Sequence, residues 1–141
     1  MNLSTNLTIT NADHRKLRDH LFPGDGLEAA AILLCARTPG PRVRLLVKQV
    51  LLVQHSACKE RRSDYMVWPG SAIEEAIDLA EADGLSLVLT HSHPGGLFSF
   101  SRHDDRSDLL TVPSLFQALG DLHGTAIMTP DGAMLARLYR Q

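Results

Sequence analysis

From Leu85 the chain takes on a period of two. Leu87, Leu89, His91 and His93 fall on one side, and Ser86, Val88, Thr90 and Ser92 on the other. Alternation of this kind belongs to a β-strand, in which successive side chains point to opposite faces. Pro94-Gly95-Gly96 then ends it, because proline cannot donate to a sheet ladder and glycine favours a turn. Immediately upstream, Ile73, Ala76, Ile77 and Ala80 recur at helical spacing. Ser71 with Glu74 has the form of a capping box, and Gly84 sits where a helix should stop. A helix therefore feeds a core strand whose last two positions on one face are imidazoles. A fold containing this pair must bring both histidines to the end of a sheet.

The remaining elements fit around that strand. Thr8 to Thr10 predicts a short strand, and Thr10 or Asn11 caps a helix running to about His20, ahead of Pro23-Gly24. Leu27 to Arg37 and Val43 to Gln54 are rich in Ile, Leu and Val. They flank the turn sequence Thr38-Pro39-Gly40-Pro41, which predicts an antiparallel pair. Ser56 to Gly70 is polar and irregular. Ser101 is placed to cap a short helix reaching about Leu110, with Asp104 in its first turn, and a second short helix is expected after Pro113. Thr125 to Met128 and Ala133 to Tyr139 predict a hairpin closed by Thr129-Pro130-Asp131-Gly132. The expected class is α+β, a mixed central sheet flanked by helices. At 141 residues the expectation is one domain spanning 1–141.

Charge and apolar runs narrow the function classes. A net charge of −2 without a Lys/Arg block disfavours nucleic acid as the main partner. The longest apolar run, Ala29 to Ala36, is far short of the roughly 20 residues of a membrane span, and no basic segment leads into an apolar one at the N-terminus. A cytoplasmic location with no membrane partner is expected. Cys35 and Cys58 make neither a disulfide framework nor a C-x-x-C motif. Cys35 reads as a small core residue, and Cys58 as a loop thiol that the nearby Lys59, Arg61 and Arg62 could acidify.

Two histidines at i and i+2 on a strand point the same way and can share one ion. An isolated H-x-H is weak evidence, and Ser101 with Asp104 is also an ordinary N-terminal helix cap. The two readings of Asp104 are compatible, since a cap fixes the direction of the carboxylate. Three ligands, His91, His93 and Asp104, would leave a fourth tetrahedral position for water, the arrangement of a catalytic zinc site. Hydrolysis would then need a proton carrier. Most acidic residues ahead of the motif lie in polar stretches or on the outer face of the capped helix. Glu28 instead stands alone at the entrance to the apolar run. On sequence alone it is equally a strand-end residue facing water and a catalytic one.

The run His91-Ser92-His93-Pro94-Gly95, with seven residues between His93 and Ser101 and with Asp104 three positions after Ser101, resembles the signature of the JAMM metalloproteases, the catalytically competent JAB/MPN domains. Leu27-Glu28-Ala29-Ala30-Ala31-Ile32-Leu33-Leu34 fits the early strand that carries the family's glutamate, with Ala at small positions often held by Gly; Phe100 stands where Pro or Leu is common. The resemblance implies a JAB/MPN-like, cytidine-deaminase-like fold in which His91, His93 and Asp104 bind one Zn²⁺ per chain. It makes Glu28 the general acid/base and Ser101 the donor to the oxyanion. Spacing favours Asp104 over Asp105 as the ligand. The resemblance further implies an (iso)peptidase that cuts after the C-terminal tail of a ubiquitin-like protein, releasing it from conjugates or processing its precursor. Ubiquitin-activating-like and conjugating-like enzymes are the partners it suggests. The segment from His55 to Gly70, with Met66 and Trp68, is the expected hold on that tail through strand addition, although Trp68 is also a natural cover for the core. Alternatives are sulfur-carrier processing, small-amide hydrolysis, a non-catalytic JAB/MPN scaffold and a DNA-associated relative of the RadC type. The last is disfavoured by the absence of a helix-hairpin-helix segment and a basic patch.

Overall fold

The computed structural model describes residues 5–141. Six strands form one mixed sheet in the order β1-β3-β2-β4-β5-β6: β1 (Asn6–Thr8), β2 (Ala30–Arg37), β3 (Arg44–Leu52), β4 (Ser86–Ser92), β5 (His123–Met128) and β6 (Met134–Tyr139). The β1/β3 and β4/β5 pairs are parallel, and β2/β3, β2/β4 and β5/β6 are antiparallel. Helix α1 (Asn11–Leu21) covers one face, while α2 (Gly70–Asp83) and α3 (Arg102–Leu119) pack on the other. The architecture is the expected α+β arrangement of a mixed sheet flanked by helices.

Both faces of the central strands are buried, which explains their near-continuous apolar sequence. In β2 and the residue before it, Ala29, Ala31, Leu33 and Cys35 join the core under α1 with Leu17, Leu21 and Val88. The alternate residues Ala30, Ile32 and Leu34 meet Leu87, Leu89, Ala76, Ala80 and Leu115 on the side of α2 and α3. In β4 the alternation seen in the sequence thus separates two cores, one on each side of the sheet. Its register places Ala30 opposite His91 and Ala31 opposite Thr90, so the start of β2 lies beside the histidine end of β4.

Several local expectations hold. Thr10 caps α1, its side chain accepting the Asp13 N–H at 3.1 Å. Gly84 ends α2 in the left-handed region at φ 64°, where a residue without Cβ carries no steric penalty. The β2/β3 pair and the final hairpin form as expected, with β2, β3 and β6 slightly shorter than the expected runs and β5 beginning two residues earlier, at His123.

Two local expectations are corrected, and one alternative, an acidified Cys58, is set aside. The Ser71/Glu74 capping box is not formed: α2 begins at Gly70 behind Pro69, with no side-chain cap. The rigid extended proline sets the helix entry two residues early, placing Ser71 inside the first turn. The expected break near Pro113 is likewise absent, and α3 is one helix from Arg102 to Leu119 with Pro113 within it. A proline there deletes the bond to the carbonyl four residues back, at Leu109. Leu109 and Leu110 are 77% and 82% exposed, so the lost bond lies in a stretch of the helix that faces solvent. Finally, burial pushes the Cys58 thiol up, with Arg61 opposing only in part, so this thiol is not acidified. No helix among the described residues is long and apolar enough to cross a membrane.

Candidate metal centre

The end of β4 meets the start of β2 through a two-way bond. Ser92 N–H donates to the Ala29 carbonyl at 3.0 Å, and the Ser92 hydroxyl accepts the Ala29 N–H at 2.9 Å. The residue between the two histidines thereby fixes the backbone next to Glu28. On the far side of Glu28, its N–H donates to the Arg62 carbonyl at 2.7 Å, and its carbonyl accepts from Arg61 Nε at 2.8 Å. Arg61 and Met66 are joined by an antiparallel bridge, so the loop ahead of α2 holds Glu28 like a short extra ribbon. Glu28 is only 2% exposed. The water-facing alternative left open by the sequence is excluded by that burial.

Asp104 arrives from the opposite side, at the third position of α3. Its N–H donates to Ser101 Oγ at 3.1 Å, and its Oδ2 accepts the Ser101 N–H at 2.7 Å, which together form a capping box. The cap aims the carboxylate at both imidazoles. Asp104 Oδ1 is 2.9 Å from His91 Nε2 and Oδ2 is 3.1 Å from His93 Nε2, while the two Nε2 atoms are 3.1 Å apart. His93 Nδ1 contacts the Leu97 carbonyl at 2.8 Å. Donation through Nδ1 leaves Nε2 of the neutral ring with a lone pair directed into the cluster. Glu28 Oε1 stands further off, 4.0 Å from His91 Nε2.

The donor set suits a divalent metal. Among the described residues, ligand atoms of Glu28, His91 and His93 all lie within 4.8 Å of one another, a cluster geometrically suited to such an ion. Asp104 adds a second, tighter triad on the same two imidazoles. Tetrahedral donors at zinc bond lengths of about 2.0–2.1 Å stand about 3.3 Å apart, close to the 2.9–3.1 Å separations within His91, His93 and Asp104. The residues present fit the group.

Electrostatics divides the two carboxyls. Burial would push Asp104 up, but hydrogen bonds from His91 and His93, the His91 charge and the Ser101 N–H outweigh it. The carboxyl is held well below the usual carboxylate range. Burial is the chief cause of the opposite behaviour of Glu28. The charges of Asp104 and Asp64 reinforce it, His93 opposes it, and the pKa is pushed up to about 8. Burial disfavours the charged form of His93, yet its bonds to Asp104 and Leu97 and the Asp104 and Glu28 charges prevail and raise its pKa. One carboxyl is thus an anion suited to hold a cation, and the other is poised to exchange a proton near neutrality.

Two cavities meet at this cluster. One, of about 210 Å³, is lined by Glu28, Ser63, Asp64, His93, Gly95, Leu97 and Ser101. Ser101 Oγ accepts from Asp104, and its own hydroxyl hydrogen makes no bond among the described residues. The other is a narrow cleft between His91, Trp68, Met66 and His103. Trp68 is partly buried against the core under α2, and Met66 is buried in that core while its carbonyl faces His103 Nε2 at 3.4 Å. Both residues border the site and both serve the core. Asp105 points away from the cluster to an ion pair with Arg137 at 2.8 Å. The roles of Ser92 and Arg61 lay outside the motif reading, because each acts through backbone contacts distant in sequence.

Comparison with known proteins bears on the fold and the family. No curated protein matches the sequence. A solved structure similar in fold is the solution structure of protein DSY2949 from Desulfitobacterium hafniense, 16% identical. The match covers 97% of this chain and 84% of that one, with a TM-score of 0.62. The profile of the prokaryotic homologs of the JAB domain matches residues 10–137, spanning every element from α1 through β6 except the last residues of that strand. The chain belongs to the prokaryotic homologs of the JAB domain.

Proposed function

We propose that the protein is a zinc-dependent (iso)peptidase that cleaves after the C-terminal tail of a ubiquitin-like protein. The observation that carries the catalytic half of this reading is the Asp104 carboxylate spanning both imidazole Nε2 atoms while protonatable Glu28 stands back at 4.0 Å. In this reading His91, His93 and Asp104 hold the ion, and Glu28 lies outside the ligand set. Zn²⁺ bound there would act as a Lewis acid and bring the pKa of a water to about 7.

The chain's own groups do the rest. Glu28, desolvated and pinned through its backbone on both sides, takes a proton from the attacking water and returns it to the leaving amine. Ser101, its oxygen already engaged by Asp104 N–H, donates its free hydroxyl hydrogen to the developing oxyanion. The ribbon from Arg61 to Met66 offers backbone groups along which an extended tail can add as a strand, with Trp68 at its end.

The substrate half rests on family likeness and on this exposed ribbon beside the site. Its test is a fusion of a ubiquitin-like protein to a C-terminal peptide, offered to zinc-loaded protein beside a small acyl amide. Release of the intact modifier, abolished in Glu28→Gln, is expected. Hydrolysis of the small amide alone would favour a small-amide hydrolase, and loss of neither bond would favour a scaffold.

A further inference from the structure

Asp104 can serve both His91 on β4 and His93 just past its end only if α3 is fixed in both rotation and height above the sheet. The Ser101 cap orients the carboxylate within the helix but does not tie the helix to the strands. Arg137, in the last strand, makes that tie. Its Nη1 donates to Asp105 Oδ1 at 2.8 Å, its Nε donates to Asp108 Oδ2 at 2.9 Å, and its Nη2 makes an ion-pair contact with the same oxygen at 2.8 Å. The guanidinium carbon lies 3.8 Å from the centroid of the Phe100 ring. These contacts bracket the metal ligand, with Phe100 four residues before Asp104, Asp105 next to it and Asp108 one turn after. A planar fork that also stacks on an aromatic ring restrains position and angle together.

The sheet register shows why Arg137 is the residue placed to do this. Leu89 pairs with Thr125 and Thr125 with Arg137, forming a row across β4, β5 and β6 one pleat repeat before His91. Thr125 and Tyr139 also donate to Asp108 Oδ2, at 2.8 and 2.6 Å. Four residues of helix rise about 6 Å, and two residues of strand about 6.7 Å. Docking Asp108 on the Thr125–Arg137 row therefore leaves Asp104 level with the His91 row.

Resting on the metal-centre reading above, we infer that Arg137 is a positioning residue for that centre, holding Asp104 in reach of both histidines without touching the ion. The test measures zinc affinity by chelator competition, and the visible absorption of the Co²⁺-substituted protein, for the unaltered protein and three variants. Arg137→Met is expected to weaken zinc binding about 10- to 100-fold, the range for loss of groups that orient ligands, and to weaken the intense tetrahedral Co²⁺ band. Arg137→Lys is expected to recover part of both. Leu138→Ala, on the opposite face of the same strand and packed in the other core, is expected to lower stability while leaving zinc affinity within about twofold.

Zinc affinity of Arg137→Met within twofold of the unaltered protein, or an equal loss in Leu138→Ala, would overturn the inference. If Arg137→Met does not fold, Asp105→Asn removes one surface arm of the clamp and is expected to weaken zinc several-fold; unchanged affinity would overturn the inference as well. Failure of the unaltered protein to bind zinc at all would instead remove the metal-centre reading and this inference with it.

Discussion

Replacing Glu28 by Gln in the metal-free protein keeps the shape of the side chain and removes its titration. Folding raises this carboxyl from 4.5 to about 8, chiefly through burial. The sign follows from linkage. The folded chain binds the proton more tightly, so the associated stability is fully present below about pH 4.5 and is lost as pH rises toward 8. At roughly 1.4 kcal/mol for each pH unit, the ceiling is about 4–5 kcal/mol. His93 shares this titration, because its proton is held partly by the Glu28 charge. The expected difference between the two proteins is therefore about half the ceiling, roughly 2 kcal/mol between pH 5 and pH 8. Urea unfolding in the presence of a chelator at pH 5, 6, 7 and 8 measures it. Unaltered protein should lose stability relative to Glu28→Gln at each step, while the other titrating groups largely cancel between the two. Parallel stabilities across that range would refute the claim that Glu28 is desolvated and poised near neutrality.

Ser101→Ala should retain zinc and lower kcat by about 10²- to 10³-fold, the usual cost of one oxyanion donor, with about 1 kcal/mol of stability lost with the cap; kcat within threefold of the unaltered protein would remove Ser101 from the reaction. Ser92→Ala leaves the buried Ala29 N–H without its hydroxyl partner and should cost about 1–3 kcal/mol in urea unfolding. A loss near zero would show that the β2/β4 junction does not depend on this bond.

The sequence was most readable where one residue's neighbours in the chain are also its neighbours in space. The alternation through His91 and the Ser101–Asp104 cap are local patterns, and both take the expected form, although the strand itself ends at Ser92, one residue before His93. Glu28 stood out by contrast with the apolar run after it, but only tertiary burial separates a poised carboxyl from a wet one. Ser71 and Glu74 carried a good local signal that lost to the entry angle set by Pro69. Pro113 carried an equally good stop signal, overridden because α3 has a core to cover on both sides of it, with Val112 and Leu115 buried. The Arg137 clamp had no local signal, since its partners lie 29 and 32 positions away and are brought together by the β4-β5-β6 register.

Glu28 and Asp104 compete for the description of the metal centre, because each forms a triad with the same two imidazoles. Metal content by mass spectrometry after dialysis against trace zinc decides between them, applied to the unaltered protein, Glu28→Gln, Asp104→Asn and His91→Ala. The predicted result is about one zinc per chain in the unaltered protein and in Glu28→Gln, with little in Asp104→Asn or His91→Ala. Zinc retained by Asp104→Asn and lost from Glu28→Gln would contradict it, making Glu28 the ligand and leaving the reaction without its proposed proton carrier.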